Sequence, residues 1–265
     1  MTASFPSRPP PSDRARRVQE AHGNEILAAL LASQYRHLLP KLEHVALERG
    51  DILYRAEQDI EAVYFPGEAV IAMIDTMADG RTVEVGIIGR EGIVGVNVFL
   101  GGAITPDKAV VQMPGSAYRM KAGDLRKEVR FGSPLQRLLL EYTRTFLAVI
   151  SQSVACSQHH NIEQRLARWL LTMSDYAHSR ELRMDHKSIA AMLGVRRVGV
   201  TETAGELQGA GLIRYQRGCI TILDRRRLEK RTCECYGFIK RQYRVLHGAL
   251  RPLLPRQAGA PAQRP

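Results

Sequence analysis

Between residues 43 and 118 the chain is a series of short apolar runs broken by turn residues. Asp51-Ile52-Leu53-Tyr54 is one, and 62–65 precedes Pro66-Gly67. The run 69–74 comes before Ala78-Asp79-Gly80, 82–88 before Gly89, and 109–113 before Pro114-Gly115. Runs of this length bounded by Gly, Pro and Asp read as strands, and their close spacing predicts an antiparallel roll or barrel. Upstream, Asn24 is placed to cap a short helix carrying Ile26, Leu27, Leu30 and Leu31, and a second short helical stretch is expected over 35–39, before Pro40.

The period then changes. Leu135, Leu139, Tyr142, Phe146 and Val149 recur at steps of 4, 3, 4 and 3 residues, the seam of a coiled coil, and Leu138 and Ile150 broaden the stripe. Such a helix either lies on its own domain or pairs with a second copy. Its place between two domains favours a dimer spine, with those five residues as the contact.

A third texture begins at Asp185-His186-Lys187-Ser188-Ile189-Ala190-Ala191-Met192-Leu193-Gly194-Val195. Asp185 can cap a helix with Ile189, Met192 and Leu193 on its inner face. Ala190 is small enough for a crossing helix, and Gly194 permits the turn. Val195, Val200 and Leu207 can anchor the second helix, which completes a helix-turn-helix near 185–209. Apolar runs at 212–215 and 219–222 flank Gln216-Arg217-Gly218 and read as a hairpin, so the unit is a winged helix. Arg197, Val198, Thr201 and Glu202 are the expected base-reading residues, because Arg can hold guanine with two hydrogen bonds and Glu can accept from cytosine. Arg196, Lys187 and the wing-tip Arg217 are expected beside them as DNA contacts, and Arg225-Arg226-Arg227 as further phosphate contacts. Gly199 and Gly205 are poor helix formers with no sequence-level explanation.

Charge sharpens this picture. The 265 residues carry a net charge of +11, and residues 180–251 hold 16 basic against 7 acidic side chains, so most of the excess sits beside the winged helix. That asymmetry points to one polyanion-binding module at the C-terminal end. The four cysteines, Cys156, Cys219, Cys233 and Cys235, do not form a secreted disulfide pattern. Pro-rich stretches at 1–23 and 252–265 are expected to be disordered tails. With no signal peptide and no long apolar run, the expected location is the cytoplasm, without membrane association. No phosphate-binding Gly-rich loop, metal-hydrolase helix or nucleophile elbow is present, which argues against an enzyme. Cys156, His159 and His160 fall close together, and Cys233 and Cys235 form a Cys-x-Cys pair in an expected helix over 229–246. These read as buried thiols and hinge histidines, so no metal and no cofactor is expected.

The order of roll, long helix and winged helix over residues 25–225 resembles the Crp/Fnr family of bacterial transcription regulators. The likeness is most specific at Glu163-Gln164-Arg165-Leu166-Ala167-Arg168-Trp169-Leu170-Leu171 and at 189–193. The resemblance implies an α+β fold, with an N-terminal antiparallel β-roll like a cyclic-nucleotide-binding domain (24–130) and a dimerisation helix (131–158). A C-terminal winged helix-turn-helix with a helical extension (159–251) completes it. It also implies a homodimer on a palindromic promoter site in double-stranded DNA, with RNA polymerase as a partner if the protein activates. Two departures stand out. Val198 follows Arg197 where the family commonly has Glu, which implies a different half-site. Ile104-Thr105-Pro106-Asp107-Lys108 stands where nucleotide-binding members carry an Arg-Ser pair, so the implied effector is something other than cyclic AMP. The competing expectation is a nucleotide-sensing module acting on a protein partner, which would show an intact phosphate cassette and no basic winged helix. The first Cys being Cys156 excludes the family's N-terminal iron–sulfur sensor.

Overall fold

The computed structural model describes residues 23–250. The tails expected at 1–23 and 252–265 lie outside these residues, Gly23 excepted. Asn24 Oδ1 accepts from the N–H groups of Ile26 (3.1 Å) and Leu27 (3.2 Å), capping α1 (Glu25–Ala28). Its Nδ2 donates to the carbonyls of Pro66 (3.0 Å) and Gly92 (2.8 Å). This buried amide is satisfied at both ends and pins the N-terminal helices to the roll. After α2 (Ala32–Leu38) come β1 (Glu43–Leu47), β2 (Ile52–Tyr54), β3 (Ala62–Pro66), β4 (Val70–Thr76), β5 (Thr82–Ile88), β6 (Lys108–Met113) and β7 (Gly115–Lys121).

The strands form two antiparallel sheets, ordered β1-β7-β3 and β2-β6-β4-β5, which make the expected roll. β4 is buried from Val70 to Ile74 on both faces. Ile71 and Met73 point into the core of the roll, and Val70, Ala72 and Ile74 point outward into a second apolar core. Strand neighbours face opposite ways, so an unbroken apolar run is what a strand covered on both sides requires.

After α3 (Ala122–Glu128), the long helix α4 (Pro134–His159) starts at Ser133, whose hydroxyl accepts from Gln136 N–H at 3.2 Å, with Pro134 in the first turn. The expected dimer contact needs correction here. Leu135, Leu139, Tyr142, Phe146 and Val149 are all buried within the chain itself, packed mainly against the roll. Tyr142 and Phe146 stack with ring centroids 5.6 Å apart, and a Cβ on Gly92 would lie 2.5 Å from the Tyr142 ring. The 4-3-4-3 stripe is therefore an intramolecular seam. On a flank of α4 outside this seam, Leu140, Leu147 and Val154 are 50%, 58% and 60% exposed, seven residues apart, and Leu147 also borders the interior of the roll.

α5 (Ile162–Ala177) begins at Asn161, which shares a capping box with Gln164. Then come β8 (Glu181–Arg183), α6 (His186–Leu193), α7 (Arg197–Gly209), β9 (Ile213–Gln216), β10 (Cys219–Ile222), α8 (Arg225–Glu229) and α9 (Glu234–Leu250). β8 adds a third strand to the expected hairpin, giving the order β8-β10-β9. The extension, expected as one helix over 229–246, is split into α8 and α9. α9 reaches both cores, with Tyr236 in the winged core and Leu246 and Leu250 in that of the roll. Among the described residues no helix is long and apolar enough to cross a membrane.

Glu91 is buried in the loop after β5 and accepts from Gly89 N–H at 3.0 Å. Burial pushes its carboxyl up from 4.5 to about 7. Below pH 4.5 both states hold this proton. Between there and about pH 7 only the folded chain does, so the stability it contributes is lost as pH rises through that window. The Tm of wild type should fall relative to Glu91→Gln from pH 5 to pH 7.5, by an amount worth on the order of 3 kcal/mol. Parallel Tm profiles for the two proteins would contradict this.

Candidate nucleic-acid interface

Asp185 caps α6, accepting from Ser188 N–H at 2.7 Å, and Gly194 ends it in the left-handed region at φ +63°. Val195 N–H returns to Ala190 O at 3.0 Å and closes the turn. Ile189, Ala190, Met192 and Leu193 of α6 pack with Val200, Ala204 and Leu207 of α7 in one buried cluster, as the spacing requires. At Gly199 a Cβ would lie 2.8 Å from Ile162 Cδ1 at the start of α5, a close approach that a shift of the isoleucine's terminal methyl would relieve. At Gly205 a Cβ would meet nothing within 4 Å, and its presence has no structural account.

The structure brings Arg196, Arg197, Val198, Thr201 and Glu202 together as exposed residues at the N-terminal end of α7. Val198 is 65% exposed, a large apolar side chain left in water beside two arginines. The Thr201 hydroxyl is already engaged, donating to Arg197 O at 3.0 Å and meeting His186 Nδ1 at 3.1 Å. His186 stacks on Tyr215 of the wing, with ring centroids 4.0 Å apart. Burial first, and then the charge of Arg197, hold the imidazole below its ordinary range and so neutral. Lys187 is exposed on α6. Arg217 tips the wing at φ +49°, next to Gly218 at φ +74°, the two-residue turn with positive φ at both positions that tight hairpins favour. The arginine run after β10 contributes less than expected. Arg225 is tied to Asp175, Glu229 and the Tyr236 hydroxyl, and Arg227 donates to Ala210 O at 3.2 Å, while Arg226 is exposed.

Residues 44–130 match the sequence model for the cyclic nucleotide-binding domain, and 164–231 match that for the Crp-like helix-turn-helix domain. The chain belongs to the Crp/Fnr family. No curated protein sequence matches it significantly. Among solved structures, a putative transcriptional regulator of the Crp/Fnr family from Eubacterium rectale superposes with TM-score 0.63 at 19% identity, over 76% of this chain and 94% of that one. FixK2 from Bradyrhizobium japonicum gives 0.63 at 18%, over 72% and 98%. The c-di-GMP-responsive regulator CLP of Xanthomonas campestris gives 0.60 at 14%, over 73% and 100%. This Crp/Fnr chain is thus a DNA-binding transcription regulator with a nucleotide-binding-type roll.

Inside the roll, between the strands and α4, lies a cavity of about 160 Å³. That is smaller than the roughly 300 Å³ at which small-molecule sites begin. Its lining includes Tyr54, Met73, Thr143 and Phe146, and its one charged residue is Asp107. Asp107 hydrogen-bonds to Thr105, and burial raises its carboxyl above the ordinary range. Lys108 is not among the lining residues. A second, larger cavity of about 370 Å³ opens where α1, α5 and α9 meet, and Arg90, Glu91, Tyr176, His178 and Tyr243 line part of it.

Among the described residues, side-chain contacts that join roll and winged domain include Trp169 Nε1 donating to Glu84 at 3.2 Å, Arg90 meeting His178 Nε2 at 3.0 Å, and the Tyr176 hydroxyl donating to Ile87 O at 3.5 Å. The β4–β5 hairpin lies against the turn of the helix-turn-helix, with Val83 Cγ2 3.2 Å from where a Cβ on Gly194 would stand.

Proposed function

We propose that this regulator binds a palindromic promoter site as a homodimer, with a roll that answers to an effector other than cyclic AMP. Arg197, Val198 and Glu202 read base edges, Thr201 offers chiefly its methyl group, and Lys187, Arg196 and Arg217 hold phosphates. The observation that carries the reading is the cluster at the start of α7. Two arginines, an exposed valine and a glutamate share the end of a helix whose free N–H groups favour anions. The valine suits the methyl group of thymine, a contact the Glu found in other family members would not make. For the dimer, the stripe Leu140, Leu147 and Val154 has the seven-residue repeat of a two-stranded seam and is free to pair.

Binding measured over a series of single-base operator variants separates the two kinds of contact. Arg197→Ala should lose about 1–3 kcal/mol and flatten the preference at one position of each half-site. Arg217→Ala should weaken all sequences alike and reduce the salt slope by about 1 per subunit. Equal, sequence-independent losses from both would remove Arg197 from base readout.

Leu140→Asp with Val154→Asp places two carboxylates in the proposed seam at exposed positions that do not line the roll cavity. The variant should stay folded, sediment as a monomer, and lose palindrome binding, since half-sites roughly 34 Å apart must be held together. A folded, fully dimeric double variant would overturn the seam.

Cyclic AMP should show no micromolar binding by calorimetry, because its phosphate would meet Asp107 and no cation in the roll cavity. Micromolar affinity that also tightens DNA binding would show that the cavity opens and recruits one.

A further inference from the structure

Four side chains far apart in sequence converge where α4 ends. Cys156 lies on its last turns, His160 follows its end, and Cys233 and Cys235 sit at the start of α9. One ligand atom from each lies within 4.8 Å of every other. Cys156 Sγ is 3.6 Å from Cys233 Sγ, and Cys235 Sγ is 3.6 Å from His160 Nδ1. An ion bound at about 2.3 Å to sulfur and about 2.0–2.1 Å to nitrogen, in tetrahedral geometry, needs ligand–ligand edges of roughly 3.4–3.8 Å. The observed spacing is already close to that, and the cysteines are free, with no disulfide among them.

We propose that Cys156, His160, Cys233 and Cys235 bind one zinc-class ion in a tetrahedral thiolate–imidazole site. Three thiolates and one imidazole are soft ligands, which suit Zn²⁺ rather than Mg²⁺ or Ca²⁺. Binding replaces three thiol protons, so the filled site carries a net charge of −1.

Two further features fit a ligand set rather than a chance cluster of thiols. The first is the orientation of His160. Its Nδ1 faces the cysteines while Nε2 lies 3.3 Å from the carboxylate of Glu234, the residue between Cys233 and Cys235. A metal-bound histidine characteristically donates its other N–H to a carboxylate, which fixes the tautomer and the ring. The second is charge. Arg168 lies near enough to act on Cys156, and its buried Nε has no hydrogen-bond partner, so a cation stands ready beside the net negative site. Gln152 also donates to Cys235 Sγ at 3.0 Å.

The site joins the end of α4, the turn into α5, and the first turn of α9. It fastens the C-terminal extension to the hinge between roll and winged domain. His160 rather than the exposed His159 completes the set, because one helical turn separates it from Cys156.

The test uses the full chain, purified with reductant and without chelator. Elemental analysis should find about one zinc per chain. Replacement with Co²⁺ should give tetrahedral d–d bands and thiolate-to-cobalt charge transfer. Cys235→Ser and His160→Ala should lose both signals. Because those variants could misfold, Glu234→Gln serves as the second arm: it keeps all four ligands and should weaken zinc about 10–100-fold in competition with a chromophoric chelator. Three results would each overturn the proposal. They are a folded chain with less than about 0.1 metal per chain and no cobalt spectrum, a visible iron–sulfur chromophore with labile sulfide, or zinc affinity unchanged in both Glu234→Gln and Cys235→Ser.

Discussion

The burial of one face of α4 against the roll is the constraint on which the rest of the arrangement depends. Leu135, Leu139, Tyr142 and Phe146 together remove several hundred square ångströms of apolar surface from water, each side chain contributing roughly 1.5–3 kcal/mol. The geometry admits little latitude, because the Tyr142 ring lies where a side chain on Gly92 would have to be. Once this face is seated, the direction of the helix is set. So are the position of its last turn and the point from which α5 departs at Asn161. The same seating turns Leu140, Leu147 and Val154 outward. One helix thus supplies an intramolecular core with one face and a largely exposed apolar stripe along its flank.

The second consequence concerns the sheet β2-β6-β4-β5. Its inner face belongs to the core that α4 closes, and its outer face belongs to the core of the winged domain, where Val70, Ala72, Ile74 and Ile87 meet the cluster containing Trp169 and Leu170. Two close-packed cores share a single layer of backbone between them. Packed interiors are nearly incompressible, so a side-chain rearrangement beside α4 has to be accommodated by that layer or passed on through it. The Trp169–Glu84 hydrogen bond sits at this boundary, and burial there pushes the Glu84 carboxyl up to about 8. The contact sets an indole N–H against a carboxyl whose protonation burial favours.

Much of this was legible in the sequence because it rests on local rules. Asn24, Asp185 and Gly194 do what their residue types dictate at helix ends, and the turn at Arg217-Gly218 follows from its composition. The roll and winged helix followed from apolar runs and their punctuation. What escaped needed tertiary information. A 4-3-4-3 stripe looks the same whether it faces a roll or a second helix, so Leu139 and Tyr142 could not announce which. A second, weaker pattern, three exposed apolar residues seven apart, lies outside that stripe. β4 offered a further signal that could have been used, since its unbroken run already implied a partner on each side of the sheet. The approach of Gly199 to Ile162 was likewise out of view, because the two are remote in the chain. The convergence of Cys156 and His160 with Cys233 and Cys235 was invisible for the same reason, as about 75 residues and a whole domain separate the two pairs.

α9 links the two bodies in a way that a simple hinge at Asn161 would not. Its first turn meets the end of α4 at the cysteine cluster, and Tyr236 then joins Arg225 and Asp175 within the winged domain. Farther along, Tyr243 packs edge-on against Tyr176 of α5, with ring centroids 6.0 Å apart, before Leu246 and Leu250 enter the core of the roll. Swinging the winged domain about Asn161 alone would drag α9 across the roll or pull those leucines into water. Exposing two buried leucines costs on the order of 3–6 kcal/mol, comparable with a large share of a domain's net stability. The winged domain is thus held at the α4–α5 turn, by the outer face of the sheet β2-β6-β4-β5 that completes its core, and through the far end of α9. Any reorientation of the winged domain has to break at least one of these packed contacts.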